Sequence, residues 1–337
     1  MIDARVIELS LKQPWTIARG TTTTKRSVIV TLTRGAHVAY GEASPVSRFR
    51  ETVETVLESI QKIGPVVEGD TRYFQAASAK IGKAVKKNFA AKAAVDMALY
   101  DLVAKELGMP VHRLFGLDPK KMPLTSFTLG MAEPEAMEAK VKDAEAYPVL
   151  KVKLGAANDR EIFKAVRRAT KKCLRVDANE GWKNKEDALD RIRELRGAGV
   201  ELVEQPMPAG DVEGARWLYE RSSLPIIADE AARNADDIPK LAGAYHGVNV
   251  KIQKCGGIWE AMRMIAAARA HGMKVMLGCM IETSLGIAAA AQIAPLADWL
   301  DLDGNLLLAA DPYRGHPVIN GRIVLNEKPG LGVEPLA

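Results

Sequence analysis

From Leu124 onward the chain alternates between short apolar runs and stretches of helical periodicity, and this alternation restricts the possible folds more than any other feature. The runs lie near residues 124–129, 148–154, 174–178, 201–205, 225–229, 248–253, 274–279 and 299–303. Each is of strand length and helical patterns separate them, for example at 159–171 and 185–197, the second ended by Gly197-Ala198-Gly199. Eight strands with intervening helices in roughly 180 residues predict a parallel barrel, in which functional groups gather at the carboxyl ends of the strands. The preceding residues have a different texture. Strand patterns at 4–11, 27–33 and 37–42, with a turn at Arg34-Gly35, come first; helical patterns at 51–63, 71–82 and 90–107 follow, the last closed by Gly108 and Pro110. Strands followed by helices describe an α+β unit. The expected division is an α+β unit over 1–118, a barrel over 119–310, and a segment 311–337 that returns to the first unit.

A length of 337 residues with 47% hydrophobic and 26% charged side chains supplies material for one barrel-sized domain and a smaller one. The net charge of +5 (47 Lys and Arg minus 42 Asp and Glu) is scattered through helices that also carry acids. There is no arginine-rich tail or aromatic-interleaved basic patch, so a nucleic-acid partner is not expected. Lys83, Lys86 and Lys87 read as a solvated helix face. Cys173, Cys255 and Cys279 lack metal-ligand spacing and suit a reducing compartment. Asp3 falls inside a strand pattern rather than an apolar leader, and no apolar run approaches the ~20 residues of a membrane span. The expectation is a cytoplasmic protein with no membrane partner, with monomer and homo-oligomer both open.

The ends of the runs carry charge in an ordered way. Lys151 and Lys153 share one face of Val149–Leu154, because side chains alternate along a strand. Two buried ammonium groups are costly unless something compensates them. Asp177, Glu204, Asp229 and Lys251 end the next runs, spaced 27, 25 and 22 residues apart, about one strand-loop-helix unit each. Three carboxylates on consecutive strands converge if the barrel closes, and like charges that close call for a cation. The alternative is three unrelated strand-end caps or ion pairs. Oxygen-only ligands select a hard ion, Mg²⁺ before Ca²⁺ or Zn²⁺. Glu230 is expected on the opposite face from Asp229, and Asn179 as a group holding water or a ligand carboxylate. Lys153 and Lys251 project from opposite sides of an eight-strand ring, so the α-carbon of a metal-held carboxylate would lie between two amines. A free lysine, with a pKa near ~10.4, is a poor base; a cationic neighbour such as Lys151, together with a metal, lowers it toward ~7–8. With a base on each face the proton leaves one side and returns on the other, which is racemisation or epimerisation.

The segments Lys-Val-Lys, Val-Asp-Ala-Asn-Glu, Val-Glu-Gln-Pro, Ala-Asp-Glu, Asn-Val-Lys and Lys-Cys-Gly-Gly, in this order, resemble the muconate-lactonising subgroup of the enolase superfamily. Ala93-Ala94-Val95-Asp96-Met97-Ala98-Leu99-Tyr100-Asp101 is similar to the last capping helix of that group, so the resemblance covers nearly the whole chain. It implies an α/β fold, a modified TIM barrel (β/α)7β under an α+β capping domain. It also implies one Mg²⁺ per subunit on Asp177, Glu204 and Asp229, with Lys153 and Lys251 as acid/base residues supported by Lys151. Within the subgroup, Trp15–Gly20, Leu277–Thr283 and Asp301–Gly304 resemble dipeptide epimerases acting on L-Ala-D/L-Glu. That implies Arg19 at the side-chain carboxylate and Asp301 and Asp303 at the ammonium. Thr128, Lys151 and Glu282 complete the expected substrate-binding set, and Asn179 and Lys254 stand behind the ligands. The segment Ser47-Arg48-Phe49-Arg50-Glu51 departs from the pattern, since its two arginines compete with Arg19 for an anionic end. Two other readings stand beside this one: a cycloisomerase, o-succinylbenzoate synthase or N-acylamino acid racemase on the same scaffold, and a barrel that has lost activity and serves as a binding protein.

Overall fold

A computed structural model describes residues 1–17, 20–68 and 73–336. Strands β1 (Ile2–Ile17), β2 (Gly20–Arg34) and β3 (His37–Ala43) form an antiparallel meander. β1 and β2 run much further than the apolar alternation predicts, to a last pair at Ile17 and Gly20, with a register shift between Ser10 and Trp15. Most of the expected capping loop Trp15–Gly20 is therefore strand: the threonines at 21–24 are β-branched and suit an extended ribbon where no apolar pattern marks one. Arg19 itself lies outside the described residues.

Three helices follow, α1 (Val53–Glu68), α2 (Phe74–Ala84) and α3 (Phe89–Glu106). Helix α1 continues through Gly64 and Pro65, past the end predicted at 63, because Ile63 and Val67 keep its buried face in contact with the domain core. Helix α3 starts at Asn88, whose side chain accepts from Ala91 N at 3.1 Å. Residues 90–104 of α3 are buried on all sides, since the helix lies between the meander and the barrel. Small side chains permit this: a Cβ on Gly41 of β3 would sit 1.9 Å from the Ala94 carbonyl oxygen.

The barrel strands are β4 (Phe127–Leu129), β5 (Val149–Lys153), β6 (Cys173–Asp177), β7 (Val200–Glu204), β8 (Ile226–Ala228), β9 (Gly247–Lys251), β10 (Lys274–Gly278) and β11 (Trp299–Asp301). They lie side by side in sequence order, all parallel, and a bridge between Thr125 and Leu300 with Ser126 N donating to Leu300 O at 3.1 Å links the last to the first. Leu202, Ile227 and Met276 fill the interior with Trp299 against them, so the barrel has a packed floor. No helix among the described residues is long and apolar enough to cross a membrane.

Buried polar contacts join the capping unit to the barrel. Glu42 of β3 accepts from Thr283 Oγ1 at 2.6 Å and from Thr283 N, at the start of helix Ser284–Ala291. Gln253 receives Ser44 N and donates to the Glu42 carbonyl. Asp96 of α3 accepts from Trp259 N, in the first turn of helix Ile258–Ala270. The chain end returns to this unit: Leu331 N donates to Asp101 at 2.8 Å, and Gly330 pairs with Pro110.

The Gly41 contact is with backbone, which a rotamer change cannot relieve. Gly41→Ala is expected to cost about 1–3 kcal/mol or more of stability. Gly82→Ala, in the exposed face of α2 with nothing within 4 Å, is expected to be neutral or to stabilise by roughly 0.5–1 kcal/mol. Urea titration of the two variants measures both.

Candidate active site

The charged strand ends meet above the barrel floor. One carboxylate oxygen from each of Asp177, Glu204 and Asp229 lies within 4.8 Å of the others, and all three residues are buried. Their neighbours fix them in place. Asn179 N donates to Asp177 at 2.9 Å, Asn249 Nδ2 to Glu204 at 2.8 Å, and Gln205 Oε1 receives Asp229 N at 2.8 Å. Asn249 fits because Gly278 on the adjacent strand has no Cβ, which would stand 2.5 Å from the Asn249 Oδ1. Asn179, Glu180 and Gln205, directly after β6 and β7, adopt positive φ of 44°, 67° and 35° without being glycine. Such left-handed backbone is retained where the surroundings over-determine it.

Four lysines enter this group. Lys151, with 1% of its side chain exposed, lies 2.6 Å from both Glu204 and Asp301 and 3.2 Å from Asp177. Burial opposes its charge, yet Asp301, Glu204 and Asp177 together hold its pKa well above the ordinary value. It is thus a counterion to three carboxylates, rather than a free cationic neighbour of Lys153. Lys153 reaches Asp177 at 2.6 Å from β5, and Lys251 reaches Asp229 at 2.7 Å from β9. Burial likewise opposes the charge of Lys251, but Asp229 and Glu204 raise its pKa. Lys254 donates to Asp229 Oδ1 at 2.6 Å and to the Asn249 carbonyl at 2.9 Å, fixing one oxygen of that carboxylate.

The donor set fits a hard divalent cation. Three oxygen ligands converge with no nitrogen or sulfur among them. Burial, with Asp177 beside it, pushes the Glu204 carboxyl up to about 7 although the Lys151 ammonium stands 2.6 Å from its Oε2, whereas Lys153 and Lys151 hold Asp177, and Lys251 and Lys254 hold Asp229, below the usual carboxylate range despite their burial. A further cation at this cluster would favour the ionised form of Glu204.

Above the cluster a cavity of about 710 Å³ opens between barrel and capping unit. Lys151, Lys153, Asn179, Asp229, Lys251, Lys254, Thr128, Asp301 and Asp303 line its barrel side; Trp15, Ile17, Lys25, Arg48 and Phe49 line its cap side. The two aspartates at and just past the end of the eighth strand have different partners. Asp301 is held by Lys151 and by Ser126 Oγ at 2.7 Å, with Thr128 Oγ1 at 3.3 Å. Asp303 receives Thr128 N at 2.6 Å, and burial and the neighbouring Asp301 push its carboxyl up to about 6. Asp303 is therefore the acid that gains from a cationic ligand. The thiol of Cys279, 3.2 Å from the Asp301 carbonyl, is pushed well up by burial and by Asp303 and Asp301.

Two expected positions are corrected. Glu282 does not line the cavity; it is buried behind it, accepting from Met280 N at 2.8 Å and Gln253 Nε2 at 2.9 Å. Its motif follows the end of β10, where strand alternation no longer directs side chains. Glu230 lines the cavity rather than the opposite face, because β8 ends at Ala228. Of the two competing arginines, Arg48 lines the cavity and is paired with Glu180 at 2.6 Å, whereas Arg50 does not line it. Residues without an expected role here are Ser126, Gln205 and Asn249, whereas Lys25, expected near Arg19 in a basic capping loop, does line the cavity. Gln205 and Asn249 sit inside motifs already noted, beside charged residues that drew the attention. Lys25 lies on the β2 extension that carried no apolar signal.

Residues 1–116 match the mandelate racemase/muconate lactonizing enzyme N-terminal domain, and residues 135–337 the enolase C-terminal domain-like family. The chain belongs to this family of the enolase superfamily, and it is an isomerase of the racemase/epimerase kind. It is 42% identical to an L-Ala-D/L-Glu epimerase of Bacteroides thetaiotaomicron, over 97% of this chain and 85% of that one. The substrate-liganded L-Ala-D/L-Glu epimerase of Bacillus subtilis superposes with a TM-score of 0.94 at 32% identity, covering 100% of this chain and 99% of that one. A dipeptide epimerase of Enterococcus faecalis, complexed with Mg and L-Leu-L-Tyr, superposes with a TM-score of 0.91 at 33% identity, over 98% of each chain.

Glu282 and Glu42 form a second buried acid pair, behind the cavity. Burial and then Glu42 push the Glu282 carboxyl up to about 7, and burial raises Glu42. A carboxyl whose folded pKa exceeds its unfolded value binds more protons when folded. Its stabilising contribution is complete below the unfolded pKa, near ~4.3, and is lost as pH rises through the folded value. The melting temperature should therefore carry a component that falls between pH 5 and pH 8, and Glu282→Gln should flatten that slope in thermal unfolding followed by circular dichroism.

Proposed function

We propose that the protein epimerises the α-carbon of the C-terminal residue of a dipeptide with a free amino terminus, L-Ala-Glu foremost. One observation carries the reading: Lys153 on β5 and Lys251 on β9 line the same cavity from strands four places apart in the eight-strand order, with the carboxylate cluster between them. A substrate carboxylate drawn toward that cluster presents its α-carbon to one amine on each face. Mg²⁺, held by Asp177, Glu204 and Asp229, supplies stabilisation of the negative charge that develops on the substrate carboxylate as the α-proton leaves. Lys153 removes the proton on one face and Lys251 delivers one on the other, with the roles exchanged in the reverse direction. Lys151 holds Asp301, Glu204 and Asp177 together without entering the transfer. Asp303 accepts the ammonium, which relieves its own proximity to Asp301. At the cap side Lys25 and Arg48 line the cavity and favour an acidic side chain.

The two-base reading has a direct test in deuterium oxide with Mg²⁺ present. Lys153→Ala and Lys251→Ala should each abolish epimerisation, while each retains α-hydrogen exchange of one stereoisomer of L-Ala-Glu, a different one for each variant. Exchange of both stereoisomers in both variants would refute it.

The substrate reading is tested at the far wall. An Asp303 left buried without its cation costs about 1–3 kcal/mol, so N-acylated amino acids should lose one to two orders of magnitude in kcat/KM against the free dipeptide. Asp303→Asn should harm the free dipeptide far more than an N-succinyl amino acid. Faster turnover of N-succinyl amino acids by the unmodified protein would assign it to the acylamino acid racemase class instead.

A further inference from the structure

Asp159 lies outside the cavity, at the start of helix Asp159–Ala169, and is 2% exposed. Four donors converge on its carboxylate. Gly155 N approaches at 2.8 and 3.0 Å, Ala156 N at 2.8 Å, Trp182 Nε1 at 2.8 Å and Arg191 Nη1 at 3.4 Å. The first two belong to the loop that leaves β5 directly after Lys153, and Trp182 to the loop that leaves β6 after Asp177. One acceptor-only group thus fastens the two loops that directly follow Lys153, the proposed base, and Asp177, a carboxylate of the cluster. The loops are also in contact: a Cβ on Gly181 would fall 2.2 Å from the Gly155 Cα, and Gly155 itself adopts φ +109°. Leu154 N donates to the Asp177 carbonyl at 2.8 Å, extending the β5–β6 register up to the fastening.

The other base is supported by different groups. Lys251 passes straight into the short helix Ile252–Cys255, where Gln253 receives Ser44 N and donates to the Glu42 carbonyl, and Lys254 donates to Asp229 and to the Asn249 carbonyl. The two lysines therefore rest on separate sets of contacts, although their proposed roles are mirror images.

We propose that Asp159 is a positioning residue for the Lys153 half of the reaction, acting through the Gly155 and Trp182 loops to fix where the Lys153 amine meets Asp177 and the cavity. The inference rests on the two-base reading above. Misplacement of a reacting group by about 1 Å costs up to ~10²-fold in rate, which sets the scale of the effect. An asparagine keeps the size of Asp159 but offers an NH₂ to the Trp182 and Arg191 donors, so that side of the fastening is lost. Trp182→Phe removes a single donor and leaves the carboxylate in place.

The experiment is α-hydrogen exchange of each L-Ala-Glu stereoisomer in deuterium oxide, on the Mg²⁺-loaded full chain, with melting temperatures taken alongside. In Asp159→Asn, the stereoisomer whose exchange Lys153→Ala abolishes should slow roughly 10- to 100-fold, and the other should stay within about twofold. Trp182→Phe should show the same one-sided loss to a smaller degree, and it decides the matter if Asp159→Asn does not fold. Equal slowing of both stereoisomers would mean that Asp159 only stabilises the barrel, and unchanged exchange in both variants would mean that it does not position Lys153; either result overturns the proposal. If the lysine variants separate the stereoisomers while these two do not, the positioning role alone falls. If the lysine variants fail to separate them, the two-base reading falls with it.

Discussion

Lys151 is the point on which the site depends. Its ammonium lies within 3.2 Å of carboxylates from three strands, Asp177 of β6, Glu204 of β7 and Asp301 of β11, and it rises from β5. A buried lysine left alone would lose its proton, and three buried carboxylates left alone would gain one. Together Lys151, Asp177 and Asp301 hold their charges despite burial, and the group draws four strands of the ring toward one point. Around that centre Lys153, Lys251 and Lys254 pair with Asp177 and Asp229, so four ammonium groups balance the four carboxylates of Asp177, Glu204, Asp229 and Asp301. Removing one member of such a set leaves an uncompensated buried charge, a larger penalty than the net worth of any one pair. In this balance Lys251 is held protonated by its partners. For Lys251 to act as the base proposed above, another cation must share these carboxylates.

The capping unit depends on the same economy of buried polar groups. Glu42 binds the start of helix Ser284–Ala291, Asp96 the start of helix Ile258–Ala270, and Gln253 ties β3 to the segment after β9. The first two satisfy backbone groups that helix starts leave open, and Gln253 satisfies Ser44 N and the Glu42 carbonyl at the end of β3. They set the cap at a fixed height over the barrel, and the cavity is the space that remains. The tight approach of β3 to α3 at Gly41 determines how closely the meander, and with it the ribbon bearing Trp15, Ile17 and Lys25, comes to the barrel mouth.

Much of this was legible in the chain. All eight barrel strands fall within a few residues of the apolar runs, since a strand buried on both faces reads as a continuous apolar segment. The convergence of Asp177, Glu204 and Asp229 followed from their shared place at the ends of consecutive runs. The misreadings cluster where strand periodicity stops. Glu230 and Glu282 stand just past β8 and β10, and alternation no longer indicates their direction. The extension of β1 and β2 was hidden because a solvated threonine ribbon needs no apolar pattern, only a partner strand.

What the sequence determined by itself is the list of groups and their order around the ring, because a parallel barrel places successive strand ends beside one another. What the tertiary structure alone decided is how those groups pair. The sequence offered Lys151 as a neighbour for Lys153, and Asp301 and Asp303 as equals. In the folded protein Lys151 belongs to Asp301, Glu204 and Asp177, and Asp303 is left facing the cavity. The same holds for Asp159, whose four donors come from three segments, the farthest being Arg191 within helix Lys185–Gly197, 32 residues on from Asp159. Pairing is settled by distances of about 3 Å between side chains from separate strands and loops, and such distances exist only once the ring has closed.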